Sequence, residues 1–293
     1  MLRRRHWRRW VFAFPLLTIV GLAGLWLFGS LLVRPSPSRI APAVAPARDL
    51  HLRARDGLLV AATYWPGRSD HAPAILLLHG NGASRAAEAA TAAWLSRQGN
   101  AALTIDFRGH GESASAQHSF GLFEARDAAA AFVWLKQRQH GAPVAVLGVS
   151  LGGAAALLGE SGPLPAQAFI LQAVYPDIRH AIRNRLVATG RVSPFGWLEP
   201  LLSNQARLRF GVWPDALAPI HAARRLTCPV LVIGGTEDRY TPAAETRALY
   251  DAVSGPKRLW WAVGVDHAAT SSDESPAYRD TLLTFLRQTI GTG

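Results

Sequence analysis

Seven short apolar runs, separated by longer segments of helical periodicity, constrain this chain more than any other feature of its sequence. They occupy residues 58–65, 74–79, 101–107, 144–149, 168–174, 229–234 and 258–263. Most are continuously apolar rather than alternating, which fits strands covered on both faces. The segments 85–98, 124–139, 154–159, 242–253 and 276–290 read as helices. Strands alternating with helices are the pattern of parallel strands joined by crossover helices, so the expected fold class is α/β. It would have a mostly parallel central sheet with helices on both faces. About 50 residues separate the run ending at Val174 from the one starting at Pro229, far more than the usual connection. Residues 175–217 are therefore expected to form a cap. There Ile178, Ile182 and Leu186 recur at helical spacing, followed by Phe195, Trp197, Leu198, Leu201, Leu202, Phe210 and Trp213. Such residues suit an acyl or aromatic pocket, or the cap's own core.

The N-terminus reads as an address. From Trp10 to Val33 the chain runs 24 residues without a charge, which as a helix at ~1.5 Å per residue measures roughly 36 Å. That length crosses a bilayer core. A cleaved secretory signal has a shorter apolar region with a small-residue site close behind it. Here Ala43-Val44-Ala45 lies well past the apolar stretch, which favours an uncleaved signal anchor over residues 10–33. Five arginines precede this span, and only Arg34 and Arg39 follow it closely. The positive-inside rule then keeps residues 1–9 in the cytoplasm and exports the rest to the periplasmic side. Residues 34–48, rich in Pro and Ala, read as a semi-rigid tether ahead of a folded domain over 49–293.

The net charge of +11 suggests nucleic acid or anionic lipid until its location is considered. Seven of the 31 basic residues and none of the 20 acidic ones fall within residues 1–40. No basic run interleaved with aromatics remains beyond that point, which argues against a nucleic-acid partner. Cys228 is the only cysteine, so an intrachain disulfide and the cysteine-based metal patterns are excluded. It reads as an inert, half-buried thiol at a strand entrance.

Gly148-Val149-Ser150-Leu151-Gly152 sits where an apolar run meets the Ala-rich segment Gly153-Ala154-Ala155-Ala156. In this spacing small residues two positions either side of a serine let the backbone turn sharply, leaving the hydroxyl exposed at a helix start. A serine hydroxyl needs a base to take its proton and usually a carboxylate to orient that base. Both follow in chain order: Asp238, just past one apolar run, and His267, after the last. The expected catalytic set is therefore Ser150, Asp238 and His267.

Together with these segments, His79-Gly80-Asn81-Gly82 and Asp106-Phe107-Arg108-Gly109-His110-Gly111-Glu112-Ser113 appear in order along residues 55–290. In that order they resemble the α/β-hydrolase superfamily, and in particular its small-cap, membrane-tethered serine hydrolases. The resemblance implies a carboxylic ester or thioester as small-molecule substrate, and no cofactor. It also implies an oxyanion hole built from the backbone N–H groups of Asn81 and Leu151, with His79 buttressing the turn. The chain departs from the pattern in having Gly234-Gly235 where many relatives carry His-Gly before the acid. The same residues would serve an acyltransferase or a peptidase, and a silent binding protein can share the fold.

Other residues carry competing readings. Asp177, after the run ending at Val174, is a rival acid. Glu237 and Asp266 read as solvated charges beside the acid and the base. His110, His118, His180 and His221 are expected at the surface, and no spacing among them suggests a metal. Glu124 and Asp127 begin a helix, where acids suit the macrodipole. Arg179, Arg183, Arg185, Arg191, Arg207 and Arg209 give the cap a basic excess that would face either anionic head groups or solvent. Oligomeric state is not legible.

Overall fold

A strand flanked by neighbours and covered by helices has no face left for water, and that is where the Val-, Ile-, Leu- and Ala-rich runs are found. In the computed structural model, which describes residues 2–188, 194–267 and 275–291, ten strands are formed. They are β1 (Ser36–Pro37), β2 (Arg48–Arg53), β3 (Leu59–Trp65), β4 (Ala74–Leu78), β5 (Ala101–Ile105), β6 (His110–Gly111), β7 (Val144–Val149), β8 (Ala168–Gln172), β9 (Val230–Gly235) and β10 (Lys257–Ala262). Eight of them make one sheet in the order β10-β9-β8-β7-β4-β5-β3-β2, and β1 and β6 pair separately. From β10 across to β5 every pairing is parallel; β3 runs antiparallel to both β5 and β2. Every residue of β4, β5, β7, β8 and β9 is buried. β2 has no counterpart among the apolar runs, because as an edge strand it exposes Arg48, Asp49, His51 and Arg53 and buries only Leu52 fully.

The helices are α1 (Leu2–Leu32), α2 (Ala89–Arg97), α3 (Glu124–Arg138), α4 (Leu151–Leu157), α5 (Ile178–Ala188), α6 (Glu199–Ser203), α7 (Ala206–Phe210), α8 (Pro219–Ala223), α9 (Ala243–Ala252) and α10 (Pro276–Ile290). α3, α4, α8 and α9 cover one face of the sheet, where Phe132, Leu135, Leu157 and Leu249 pack on Leu76, Leu103 and Val146. α2 and α10 cover the other, with Leu95, Leu282 and Phe285 against Ile75, Leu77 and Leu147. Burying one such side chain contributes about 1.5–3 kcal/mol. α4 begins at Leu151, directly after Ser150, rather than at Ala154 as the Ala-rich pattern alone suggests. Chain order reverses between β4 and β7, and the C-terminal ends of strands at such a switch point leave a crevice for ligands.

The cap forms a third core with its own helices: Ile178, Ile182, Leu186, Leu202 and Ala206 pack with Phe120 and Tyr175. The end of α1 enters this core, since Val33 is buried there and Leu25, Phe28 and Leu32 pack against it. Residues 34–48 are fastened to the domain, unlike a free spacer. Ser36 N–H donates to the Gly109 carbonyl (2.7 Å), Ser38 N–H to that of Gly111 (2.9 Å), and Ala43 N–H to Asp49 Oδ2 (2.8 Å). His110 and His118 are fully buried, contrary to the surface position expected of them. His180 is partly exposed and His221 exposed. Arg191 lies outside the described residues.

Candidate active site

Ser150 follows β7 with φ 48° and ψ −108°, a conformation that costs an ordinary residue on the order of 1–3 kcal/mol. Its neighbours make that turn fit. A Cβ at Gly148 would come within 2.6 Å of the Gly153 backbone, and one at Gly152 would collide with the Leu78 carbonyl. The strained serine is held by its N–H, which donates to the Gln172 carbonyl (2.8 Å).

Asp238 lies just past β9, with its side chain fully buried. Its Oδ1 accepts from the N–H groups of Tyr240 (2.8 Å) and Thr241 (2.7 Å). Its Oδ2 lies 2.7 Å from Nδ1 of His267, which follows β10. A ring that gives its Nδ1 proton to a carboxylate keeps a lone pair on Nε2. Ser150, Gly80, Asn81, Tyr240 and His267 line one cavity of about 390 Å³. Asp177, the rival acid, is engaged elsewhere: Oδ1 accepts from His180 N–H (3.0 Å) and Oδ2 sits 2.9 Å from His180 Nδ1, at the start of α5. Glu237 and Asp266 are exposed.

The turn carrying Asn81 is braced by two buried histidines and an ion-pair network. Phe107 N–H donates to His79 Nε2 (3.1 Å), so Nδ1 bears the proton given to the Gly80 carbonyl (2.7 Å). Burial, then the neighbouring His110, holds the pKa of His79 down at about 3, so the ring stays neutral. His110 Nε2 lies 3.2 Å from the Asn81 side chain. Just past the turn, Arg85 donates its N–H to Asp106 Oδ1 (2.6 Å) and its guanidinium to Asp106 Oδ2 and Glu112 Oε2. The segment 106–113 thus anchors the turn of Asn81 rather than entering the cavity. Within it, Arg108 clasps Asp127 (2.7 Å) and Asp56 (2.8 Å). Asp127 and Glu124 stand in the first turn of α3 as expected, and they are also buried partners of the loops, Glu124 accepting from Ser119 and Gly121.

Two ionisable residues in the cavity were not expected there from the sequence. Glu88, 2 % exposed, lines it; its Oε1 has no hydrogen-bond partner among the described residues. Burial raises its pKa to about 8. Arg185 reaches the same cavity from the cap and donates to the Ala181 carbonyl (3.0 Å), so one of the basic cap residues faces the site. No sequence signal separates it from its neighbours. Arg179 and Arg183 pair instead with Asp215 and Glu199.

A Mycobacterium tuberculosis protein described as uncharacterised is 31 % identical over 264 residues, covering 88 % of this chain and 85 % of its own. The Pyrococcus furiosus esterase Pf2001 shares the fold with a TM-score of 0.68 at 21 % identity, over 88 % of this chain and 99 % of that one. The family described as serine aminopeptidase, S33, matches residues 69–208. The chain belongs to the α/β-hydrolase superfamily. Another α/β-hydrolase similar to it is the lysophosphatidylserine lipase ABHD12 of Danio rerio, 29 % identical over 203 residues. That match covers 66 % of this chain and 50 % of the lipase.

Proposed function

We propose that this α/β-hydrolase is a serine hydrolase that cleaves a carboxylic ester or thioester through an acyl-Ser150 intermediate. The observation that carries the reading is the 2.7 Å contact between His267 Nδ1 and Asp238 Oδ2, with His267 and Ser150 on one cavity. His267 Nε2 takes the Ser150 proton as the oxygen attacks the acyl carbon, then returns it to the departing alcohol or thiol. A water, deprotonated by the same nitrogen, attacks the acyl-serine and frees the acid. Backbone N–H groups of Asn81 and Leu151 stabilise the tetrahedral oxyanion; loss of one such donor typically lowers the rate ~10²–10³-fold. α1 crosses the membrane with residues 1–9 in the cytoplasm and the hydrolase domain on the periplasmic side. Its apolar stretch Pro15–Leu32 has only 6 % of its length buried inside the protein, as a lipid-facing helix requires.

The test is labelling of the full chain with a fluorophosphonate, beside Ser150→Ala and His267→Ala, followed by esters of graded acyl length. Labelling lost in both variants is expected; absence of labelling in the folded native chain would overturn the reading. The description of the matching family also favours amide cleavage as a second reading, which aminoacyl-coumarin amides in the same assay separate from esterase activity.

A further inference from the structure

The contact between α1 and the cap fixes how deep the cap sits. Gln205 Nε2 donates to the Leu25 carbonyl (3.0 Å), and Arg209 donates to the Trp26 carbonyl (2.6 Å) and Ser30 Oγ (3.0 Å). Lower on the helix, Ile19 and Leu22 face Leu201 and Leu208 across an open groove of about 690 Å³. Leu25 lies eight residues before Val33, and Ile19 fourteen, or about 12 Å and 21 Å along the axis. The uncharged stretch is roughly 36 Å long and a bilayer core about 30 Å. Even if the whole excess of about 6 Å projects on the hydrolase side, Leu25 is ~6 Å and Ile19 ~15 Å inside the hydrocarbon. Whatever packs beside them is inside too.

The cap has the surface such a position demands. Leu208 is 78 % exposed, Trp197 67 %, Trp213 59 % and Leu201 49 %. These are costly in water and normal in lipid. The arginines beside them lie over tryptophan rings: Arg209 over Trp26 at 3.8 Å and Arg207 over Trp213 at 5.9 Å. Aromatic rings and long cations at the edge of an apolar surface are the composition of a membrane interface.

We propose that the cap is itself a membrane-inserted element, its α6–α7 surface buried in the bilayer leaflet nearest the hydrolase domain. Leu201 and Leu208 reach the acyl chains, Trp197 and Trp213 lie at the interface, and the exposed Arg207 meets lipid phosphates, while Arg209 is satisfied within the protein by the Trp26 carbonyl, Ser30 and the Trp26 ring. This rests on the reading of α1 as membrane-spanning, not on any catalytic step.

The experiment uses the full chain, with Cys228→Ser, in vesicles of phosphatidylcholine and phosphatidylglycerol. An environment-sensitive fluorophore is attached through Leu201→Cys or Leu208→Cys. Leu16→Cys on α1 and the exposed Val133→Cys on α3 serve as controls. Labels at positions 201 and 208 are expected to shift to the blue and lose at least half their intensity in bromine-labelled lipid, as at position 16, with position 133 unaffected. Quenching at 16 but not at 201 and 208 overturns the inserted cap while leaving the anchor in place. A blue-shifted label at 208 that brominated lipid does not quench indicates a protein contact and overturns it equally. Loss of quenching at position 16 overturns the anchor and the inserted cap together. The hydrolase reading is untouched by all of these results.

Discussion

Asp238 receives two backbone N–H groups and one imidazole, and this determines what His267 can do. An amide in place of the carboxylate can offer its NH₂ to Nδ1 and so favour the tautomer whose Nε2 bears the proton. Asp238→Asn is therefore expected to fold normally and lose on the order of 10⁴ in kcat, measured on any ester the native chain turns over. Glu88 gives a second residue-scale prediction. With a pKa raised by burial from 4.5 to about 8, it stays protonated in the folded chain at pH values where the unfolded chain has released the proton. Its stabilising share is complete below about pH 4.5 and is lost as pH rises through about 8. Glu88→Gln does not titrate, so its Tm should gain on the native chain progressively between pH 5 and 9. At ~1.4 kcal/mol per pKa unit the gap amounts to a few kcal/mol; parallel Tm curves would mean that the carboxyl is solvated. The positions of Ser150, Asp238 and His267 just past strand ends are legible in sequence because each follows an apolar run. Glu88 and Arg185 are not, because what brings them to the cavity is the seating of the turn after β4 and of the cap.

At the scale of elements, the loop 106–113 holds the turn of Asn81 through Arg85. Removing one partner of a buried ion pair strands the other, typically at a cost of about 3–5 kcal/mol. Arg85→Met is expected to destabilise by that order in denaturant titration and to lower ester turnover through the displaced Asn81. The double variant Arg85→Met with Asp106→Asn should recover part of the stability. The central strands were readable because burial on both faces leaves an uninterrupted apolar signature. β2 escaped because an edge strand whose two inward leucines, Leu50 and Leu52, alternate with polar residues resembles a polar loop. The antiparallel entry of β2 and β3 and the burial of His110 and His118 depend on neighbours far away in sequence. A thiol at Cys228, pushed to a higher pKa by burial, agrees with the inert role expected of it.

For the molecule as a whole, α1 is part of the cap core as well as the proposed membrane anchor. Deleting residues 1–33 strips Val33, Leu25, Phe28 and Leu32 from that core and uncovers Ile182 and Leu202. The truncated chain is expected to need detergent to remain monomeric in size-exclusion chromatography, although the sheet and its site are intact. The fastening of the linker has one more effect. Ile40 N–H donates to Glu112 Oε1 (3.3 Å), Glu112 Oε2 accepts from Arg85 (2.6 Å), and Arg85 leads into the turn of Asn81. The helix α1, the linker and the turn of Asn81 are therefore coupled in series like links of a chain under load. A lateral pull on the helix, as from a thickening or stiffening bilayer, would reach the turn of Asn81 through the linker as well as the cap through Gln205 and Arg209.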